Sequence, residues 1–351
     1  MEPLSSEQLL IEKQKLDALK QEFEEQKKHL WLMSETVYKE KKKIEKELEN
    51  ILLQKSELEI LKNENEEKVK LLWEQSEGIH KEKERIEKLK ILIEYRHDEI
   101  IDSVHYAKKI QEAILPSLKL FNSFLPDSFV FFKPKNIVSG DFFWVHPLDQ
   151  DEVLFAAVDC TGHGVPGAFM SIMGYHLLGQ IVVEKKIITP SLILFELCEL
   201  VIKSLKQTLE LESVKDGMDI ALCKLNYKNK TLDYAGAHNS LYLIRNGVLT
   251  EIKADRRSIG ITTATKAVPF NNHLIQLEKG DCLYVFSDGF PDQKGGNENT
   301  KFFYQPFREL LIKINPLTIP EQLEVLEKVI SEWKGNRGQI DDMLIIGLRI
   351  P

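Results

Sequence analysis

An apolar residue recurs at every seventh position through the first hundred residues of the chain, and this repeat limits the possible folds more than any other feature. Asn65 interrupts it once, and a polar residue on such a seam can fix the register of paired helices at a cost in stability. The apolar positions are Leu16, Phe23, Leu30, Val37, Ile44, Ile51, Leu58, Leu72, Ile79, Ile86, Ile93 and Ile100. A seven-residue period kept over this length predicts a coiled coil over residues 1–100, which we interpret as a parallel homodimer. A single long charged helix is the alternative.

The segment that follows, DSVHYAKKIQEAILPSL, keeps helical apolar spacing until Pro116 ends the pattern. It predicts a linker helix over residues 101–118. One interpretation is a plain connection between two domains. The other is a helix that transmits conformational change from the coiled coil to the rest of the chain.

From residue 119 to residue 351 the pattern changes to short β-strands with a few helices between them. The predicted strands are SFVFFKP, DFFWVHPL, EVLFAAVD, DIALCKLNY, TLDYAGA, SLYLIRNG, CLYVFSDG and MLIIGLRI. Helices are predicted from Pro166 to about Lys185, from Pro190 to about Leu211, and from Ile319 to Trp333. Strands in runs with inserted helices favour an α+β fold of antiparallel sheets layered with helices over a doubly wound parallel sheet.

Composition excludes several classes of protein. The net charge of −8 provides no basic surface for nucleic acid, and the four cysteines are scattered without a CxxC pair, as is usual for reduced intracellular thiols. The first twenty residues are charged throughout, unlike a signal peptide. No uncharged apolar stretch was found that is long enough to cross a bilayer. We therefore expect a cytoplasmic protein with no membrane insertion.

Acidic residues stand at four strand borders of the second half. They are Asp141 in SGDFFW, Asp159 in AAVDCTGHG, Asp288 in VFSDGF, and the pair Asp341 and Asp342 in GQIDDMLII. One such aspartate alone is more typical of a turn. Four at the ends of buried strands are costly unless they are paired or bind metal, and no matching set of basic residues is apparent. Carboxylates without histidine or cysteine partners select Mg²⁺ or Mn²⁺, and two such ions can activate a water and hold a phosphoryl group.

The glycine-rich loop GHGVPG after Asp159 could be read as a phosphate-binding loop. It lacks the lysine of the GxxxxGK[ST] motif, and its surroundings are not a βαβ unit. Beside the aspartates, the loop fits a turn that brings backbone carbonyls to a metal and lets a substrate approach closely.

Five motifs, SGDFFW, DCTGHGVPGA, YAGAHNSLYLI, VFSDGF and IDDMLII, resemble those of the metal-dependent protein serine/threonine phosphatases of the protein phosphatase 2C type. They are most similar to the bacterial branch typified by the stage II sporulation protein E and the phosphatases of stress sigma-factor regulators. The resemblance covers about residues 117–351 and implies a phosphatase domain over residues 119–351. It also implies a sandwich of two antiparallel sheets flanked by helices.

The resemblance also implies roles for individual residues. Asp141 and Asp159 correspond to the acids that bridge two metal ions, and the backbone carbonyl of Cys160 to a further ligand. Asp288 and Asp341 correspond to ligands of one metal, with the register between Asp341 and Asp342 open by one residue. The cofactors implied are two Mn²⁺ or Mg²⁺ ions, with a third in some relatives.

The position of that third metal in some relatives corresponds to Asp216 in KDGMDIALC, while Asp219 stands where relatives often carry threonine. The eukaryotic enzymes place a proton-donating histidine directly after their DG pair. Here His163 lies four residues past Asp159, so a loop-shaping role and a general-acid role both remain open. Lys133 and Lys135 are candidates to replace the phosphate-binding arginine of the eukaryotic enzymes, although solvated surface lysines are the more common case.

The resemblance therefore predicts a metal-dependent phosphatase that hydrolyses phosphoserine or phosphothreonine on a protein substrate and is regulated through the N-terminal coiled coil. The implied substrate is a phosphorylated anti-sigma-factor antagonist or a similar partner-switching protein. A catalytically inactive adaptor that signals through its coiled coil is the alternative, and the intact set of aspartates argues against it. A purely structural coiled-coil protein would not need the complete second half.

Overall fold

The computed structural model describes residues 5–208, 216–260 and 268–351 and contains two compact units, Met1–Glu94 and Tyr95–Pro351. Helix α1, Ser6–Ile114, is continuous through the first unit and into the second. Its first part is a regular helix without proline, as the sequence predicts. Each apolar residue of the seven-residue seam from Leu16 to Ile93 is exposed, because this part of the helix has no partner along its own length.

The second unit begins with the end of α1 and a short helix α2, Leu118–Phe124, whose N-terminus is capped by the Ser117 hydroxyl. Two five-stranded antiparallel sheets follow. The first has the order β1-β12-β9-β6-β7 and the second the order β2-β3-β4-β5-β8. Their strands are β1 Ser128–Lys133, β2 Phe142–Pro147, β3 Glu152–Cys160, β4 Met218–Asn226, β5 Thr231–Ala237, β6 Leu241–Arg245, β7 Val248–Ile252, β8 His273–Gln276, β9 Cys282–Phe286 and β12 Met343–Arg349.

Five further helices and a small hairpin complete the described part of this unit. They are α3 Val165–Gly179, which continues as a π-helical turn over Gln180–Glu184, α4 Pro190–Ser204, α5 Gly289–Asp292, α6 Tyr304–Ile314, α7 Ile319–Lys334, and the hairpin of β10 Lys294–Gly295 with β11 Thr300–Lys301. Every predicted strand is present. The predicted helix from Pro190 ends at Ser204 and not near Leu211, because Lys206 adopts a left-handed conformation with φ of 50°. Residues 209–211 of that prediction lie outside the described residues.

The sheets pack face to face, and alternation along the strands fills three cores. In β3, Val153, Phe155 and Ala157 face the core between the sheets, while Leu154, Ala156 and Val158 face α3 and α4. A third core lies between the first sheet and helices α6 and α7. The unit is therefore a four-layer sandwich with helices on both outer faces, which confirms the α+β class and the antiparallel sandwich expected from the sequence.

Among the described residues, one helical segment, Val165–Glu184, is long and apolar enough by length and composition to cross a membrane. The sequence analysis predicted a helix here, from Pro166 to about Lys185, but it was wrong that no apolar stretch has the length needed to cross a bilayer. Half of the segment is buried, and it packs against β3 and α4, so its apolar character is accounted for by the core of the sandwich.

Candidate metal centre

The pairing of strands brings the four acidic borders together. Asp141 directly precedes β2 and Asp159 lies near the end of β3, and the antiparallel pair Phe142↔Val158 places these two borders side by side. In the other sheet, Asp288 follows β9 and Asp341 and Asp342 precede β12, and the pair Ile345↔Phe286 places these borders beside each other. Each sheet thus contributes one corner.

The charges of these acids act on one another across the two sheets. Burial, followed by the charge of Asp159, raises the pKa of Asp141 well above its usual value, and the Ser287 hydroxyl partly offsets this by hydrogen-bonding to the Asp141 carboxyl. Burial, followed by the charge of Asp288, likewise raises the pKa of Asp159. Because each carboxylate disfavours the charge of its neighbours, the cluster is electrostatically unsatisfied without a cation.

Asp288 occupies the more open side of the cluster. Burial, followed by the charges of Asp292 and Asp341, raises the pKa of Asp288 to about 6. Among basic residues, Lys301 is the one whose charge lowers the pKa of Asp288, and it does so slightly. Its ammonium group pairs with Asp292 at 2.7 Å. One partly exposed lysine does not neutralise several carboxylates.

Asp219 belongs to the cluster, although the sequence analysis did not place it there. It lies at the start of β4 directly opposite Asp159 in the strand pairing. Burial raises its pKa, while the Ser258 hydroxyl and the nearby His238 lower it. The register of the two strands would have revealed this residue, but the sequence alone does not give that register.

The two consecutive acids before β12 have different surroundings. Asp342 is buried, and its carboxylate accepts hydrogen bonds from the backbone N–H groups of Lys135 at 2.6 Å and Gly140 at 2.7 Å. Asp341 is exposed, and its charge acts on Asp141, Asp159 and Asp288. Both oxygens of Asp342 are thus used to hold the loop before Asp141, although its charge also raises the pKa of Asp141, as that of Asp341 does.

Asp216 is placed differently from the other candidates. Within the described residues, it is not among the main charges that raise the pKa values of the cluster. Its backbone carbonyl accepts a hydrogen bond from the Gln207 side chain at 2.6 Å, and residues 209–215 just before it lie outside the described part of the chain. A role for Asp216 stays a prediction.

The glycines of the loop allow close contact between backbone segments. A Cβ atom on Gly140 or on Gly167 would collide with the carbonyl oxygen of Gly162, and a Cβ on Gly140 would also lie 3.3 Å from the Cys160 carbonyl oxygen. The Cys160 side chain itself is buried in the core beneath α3 and α4. The thiol therefore points away from the loop, and a ligand role for the Cys160 backbone carbonyl stays a prediction.

The loop side chains have structural contacts. His163 Nδ1 lies 2.8 Å from Asn136 Oδ1, which ties the glycine loop to the segment before Asp141. Lys133 lies over the ring of Phe131, with its Nζ 5.3 Å from the ring centroid, and Lys135 contributes its backbone N–H to Asp342. These contacts fit a loop-shaping role for His163.

A buried glutamine connects α1 to the same segment. The Gln111 side chain donates to the Ser139 carbonyl at 2.7 Å and to the Ser171 hydroxyl of α3 at 2.8 Å, and it accepts from the Ser139 N–H at 3.2 Å. Ser139 lies two residues before Asp141. The last turns of α1 are therefore part of the scaffold that positions the cluster.

The donor set fits divalent cations such as Mg²⁺ or Mn²⁺. The buried atoms Asp141 Oδ2 and Asp219 Oδ1 have no hydrogen-bond partner among the described residues. No group of three acidic, histidine or cysteine side chains in the described ranges is placed to hold an ion by side chains alone. An ion here would use carboxylates from both sheets together with a backbone carbonyl and water, which is the all-oxygen environment that hard cations favour.

Comparison with known proteins agrees with the family resemblance seen in the sequence motifs. The model of the family described as stage II sporulation protein E (SpoIIE) matches residues 149–351. The SiaA-PP2C domain of Pseudomonas aeruginosa is 31% identical with a TM-score of 0.65, and the match covers 73% of this chain and 98% of that chain. No curated protein matches the chain.

Two further solved structures share the fold at lower identity. One is the PP2C phosphatase domain with a fragment of the regulatory domain of SpoIIE from Bacillus subtilis, at 17% identity and a TM-score of 0.51, covering 64% of this chain and 63% of that one. The other contains the RsbU and RsbW domains of a protein from Mycobacterium tuberculosis, at 16% identity and a TM-score of 0.51, covering 65% and 61%.

The sandwich and its acidic corner define a phosphatase domain of the protein phosphatase 2C type. The chain belongs to the SpoIIE family of protein serine/threonine phosphatases. The family match begins after Asp141, so it includes Asp159, Asp288 and Asp341 but not the first acid of the cluster.

Proposed function

We propose that the chain is a metal-dependent phosphatase of the cytoplasm that hydrolyses phosphoserine or phosphothreonine on a signalling protein. The observation that carries this proposal is the group of carboxylates from both sheets, with two buried oxygens that lack a partner in the described ranges. Membership of the SpoIIE family favours a phosphorylated anti-sigma-factor antagonist, or a similar partner-switching protein, as the substrate.

Two Mn²⁺ or Mg²⁺ ions would be held by Asp141, Asp159, Asp288, Asp341 and the Cys160 carbonyl. When bound, such ions lower the pKa of a water molecule and neutralise charge on the phosphoryl group. Asp219 lies opposite Asp159 in the strand pairing, and its charge raises the pKa of Asp159, so we include Asp219 among the proposed ligands. We assign Asp342 a supporting role, since its oxygens accept two backbone hydrogen bonds. A third ion near Asp216 stays a prediction.

The protein's own groups fix the acids before any ion binds. The backbone N–H of Asp288 donates to the Asp159 carboxylate, and the Ser287 hydroxyl donates to Asp141. These bonds cross from the sheet of β9 to the sheet of β2 and β3, so they set the distance between the two corners. A preorganised cluster of this kind binds charge without reorganising during the reaction.

A direct experiment measures phosphate release from a phosphoserine peptide by the full chain with Mn²⁺, with and without a chelator. We expect turnover with Mn²⁺, loss on chelation and recovery when Mn²⁺ is restored. An inactive adaptor would release no phosphate under any of these conditions, although it could still bind a phosphoprotein. The complete set of carboxylates favours the enzyme over the adaptor.

We also propose that the N-terminal helix forms a homodimeric coiled coil over residues 1–100 that regulates the phosphatase through residues 101–118. The contact that supports this is Gln111, which joins the end of α1 to Ser139 and Ser171. A change of phase in the coiled coil would turn this end of the helix and disturb the loop before Asp141. The effect would need to favour one conformation by a few kcal/mol to act as a switch.

Insertion of four residues beside Arg96 tests this regulation, because such an insertion shifts the phase of a seven-residue repeat. We expect a severalfold change in turnover of a phosphoserine peptide. Insertion of seven residues at the same place keeps the phase and is the matched control. Equal turnover of the two insertion variants and the unmodified chain would indicate that the coiled coil is only a tether.

A further inference from the structure

An unusual backbone conformation occurs at Phe303, the residue that directly precedes α6. Its φ is 68° and its ψ is 156°. The other non-glycine residues with positive φ in the described part of the chain are lysines, asparagines and one histidine. A bulky side chain at such a φ is a true outlier and costs stability, whereas glycine would adopt the same backbone freely. The phenylalanine at this position therefore calls for an explanation beyond the backbone.

Hydrogen bonds and packing on either side fix this conformation. The Phe302 N–H donates to the Gln293 carbonyl at 3.0 Å, and the Phe303 N–H donates to the Pro291 carbonyl at 2.7 Å. The buried ring of Phe302 meets the edge of Phe290, with 5.4 Å between the ring centroids. Phe302 thus anchors the chain in the core, and the next residue turns outward, since Phe303 is 54% exposed.

The same backbone bonds place Phe303 beside the more open side of the acidic cluster. Pro291, the acceptor for Phe303, lies in α5, which begins directly after Asp288. The turn is closed by the Asp292 N–H, which donates to the Asp288 carbonyl at 2.9 Å. In agreement with this placement, burial and then the charge of Asp288 raise the pKa of Tyr304, the next residue. A phosphorylated residue at the cluster would therefore have its neighbours within reach of Phe303.

The charges around Phe303 do not favour a charged ligand. Asp292 is paired with Lys301 at 2.7 Å, and Asp288 is a proposed metal ligand, so neither acid is free to attract an arginine or a lysine to the ring. What Phe303 offers is half-exposed apolar area, which is stabilised by contact with another apolar group. A second copy of the chain is a poorer occupant, because it would cover the metal centre and the seam of α1 already provides a surface for association.

We infer that Phe303 contacts an apolar side chain of the protein substrate, close in sequence to the phosphorylated residue. The position beside Asp288 selects the substrate as the occupant, and the paired charges select an apolar side chain. The unfavourable backbone is then the consequence of presenting an aromatic ring at this point. This inference rests on the proposed phosphatase function and adds to it a residue that sets the sequence preference.

Nine-residue peptides with a central phosphoserine in an alanine background test the inference. Leucine, arginine or glutamate is placed in turn at each of the four positions on either side of the phosphoserine, and kcat and KM are measured for the full chain with Mn²⁺. At one position we expect leucine to lower KM about fivefold relative to alanine, since only part of the longer side chain leaves water on a half-exposed ring. Hydrolysis of p-nitrophenyl phosphate, which has no flanking residue, is measured alongside.

Three variants assign the preference to Phe303, each scored as the ratio of kcat/KM for the leucine and alanine peptides. Phe303→Gly removes the ring and frees the backbone, so we expect an unchanged or higher Tm and loss of the preference. Phe303→Leu keeps an apolar side chain on the same backbone and should keep most of the preference. Lys230→Gly, at a φ of 50° in the turn between β4 and β5, is the matched control for backbone relief and should keep all of it.

The outcomes separate the two levels of the proposal. If the unmodified chain hydrolyses neither the peptides nor p-nitrophenyl phosphate, the phosphatase function is wrong and this inference fails with it. If it hydrolyses them without a preference for leucine, or prefers arginine, the function stands and the inference is overturned. An equal preference in Phe303→Gly would also overturn it. Weaker self-association of Phe303→Gly in sedimentation of the full chain would assign the ring to a second copy and overturn it as well.

Discussion

At the scale of single residues, the two consecutive acids before β12 divide two tasks between them. The carboxylate of Asp342 is buried and holds the loop before Asp141 through two backbone N–H groups. The carboxylate of Asp341 is exposed toward the other acids, although it also accepts the N–H of Asp342 at 2.9 Å. The two neighbours thus differ because the oxygens of Asp342 are taken up by backbone N–H groups, while Asp341 remains exposed.

This division predicts opposite results for two matched variants. Asp342→Asn places an amide N–H₂ against a backbone N–H and is expected to cost about 2–3 kcal/mol of unfolding free energy, because a charge-assisted hydrogen bond is lost in a buried place. Asp341→Asn is expected to leave the unfolding free energy within about 0.5 kcal/mol and to abolish activity. Urea unfolding and peptide hydrolysis measure the two effects. A stable, inactive Asp342→Asn with an active Asp341→Asn would reverse the assignment.

The raised pKa of Asp288 predicts a pH dependence of the metal-free protein. Its pKa of about 6 exceeds that of an unfolded aspartate, so the folded state binds more protons and stability falls as the pH rises from about 4 to about 6. Asp288→Asn removes this contribution and is expected to stabilise the metal-free protein at pH 7 by about 1–2 kcal/mol, since water still screens part of the charge.

Thermal unfolding with a chelator at pH 4.5 and pH 7 checks this expectation. Addition of Mn²⁺ should then stabilise the unmodified chain at pH 7 and stabilise Asp288→Asn much less. Glu309→Gln, at an exposed position of α6, is the control. A destabilised Asp288→Asn in the absence of metal would show that the carboxylate is held by favourable contacts and not opposed by its neighbours.

The sequence predicted the acids at the strand ends, because buried strands followed by aspartate are visible as a pattern. It did not predict Asp219, which joins the cluster only through the pairing of β3 with β4. Nor could it separate Asp341 from Asp342, because the choice depends on which carboxylate meets the N–H groups of Lys135 and Gly140. Such contacts link residues about 200 positions apart in the chain and leave no local signal.

At the scale of elements, the end of α1 is part of the scaffold of the metal centre. Gln111 is 5% exposed and uses both ends of its amide on Ser139 and Ser171. The helix is continuous from Ser6 to Ile114, so the linker helix predicted over residues 101–118 is the last part of α1 followed by a break before α2. The division between compact units falls at Glu94, well before that linker.

Gln111→Met keeps the size of the side chain and removes its hydrogen bonds. We expect it to lower kcat for a phosphoserine peptide at least tenfold, since Ser139 lies two residues before Asp141 and small displacements of catalytic groups are costly. It should also lower the unfolding free energy by about 2–3 kcal/mol, because the Ser139 N–H and carbonyl lose their partner. The exposed neighbour variant Glu112→Ala is the control. Unchanged kcat in a folded Gln111→Met would contradict the positioning role.

Element boundaries show where sequence reasoning reaches its limit. The apolar run of β3 and the helical pattern from Ile319 to Trp333 were sufficient to predict β3 and α7. The structure adds to α7 the capping box of Thr318 and Glu321. Helix α6 was not predicted, although its buried residues Phe307, Leu311 and Ile314 have the i, i+4, i+7 spacing of an amphipathic helix. The end of α4 depends on the left-handed conformation of Lys206, a residue type that does not favour that conformation.

At the scale of the whole molecule, α1 leaves a long apolar seam without a partner in a single chain. The seam residues are about half to two thirds exposed or more, for example Leu30 at 71%, Ile51 at 60% and Ile79 at 70%. A seam of this length is typical of helices that associate with another copy. The exposed ion pairs along α1 add little to the stability of a single helix, so they do not make up for the missing partner helix.

We expect the full chain to sediment as a dimer or higher oligomer at micromolar concentration, while a chain that begins at Tyr95 sediments as a monomer. The shortened chain starts at the boundary of the second compact unit and keeps Gln111. The double variant Ile44→Glu with Ile51→Glu should weaken association of the full chain, whereas Lys43→Glu with Glu49→Lys off the seam should not. A monomeric full chain would favour the single long helix.

The most direct test of the metal centre follows hydrolysis of a phosphoserine peptide by the full chain as Mn²⁺ is added, for the unmodified chain and for Asp159→Ala. We expect the unmodified chain to rise to a plateau and return to background when a chelator is added. Asp159→Ala should remain folded and lose at least about a thousandfold in kcat at every Mn²⁺ concentration, because it removes an acid that joins both corners of the cluster. Near-normal turnover of Asp159→Ala at saturating Mn²⁺, or full activity of the unmodified chain in the chelator, would contradict a metal centre built on these aspartates.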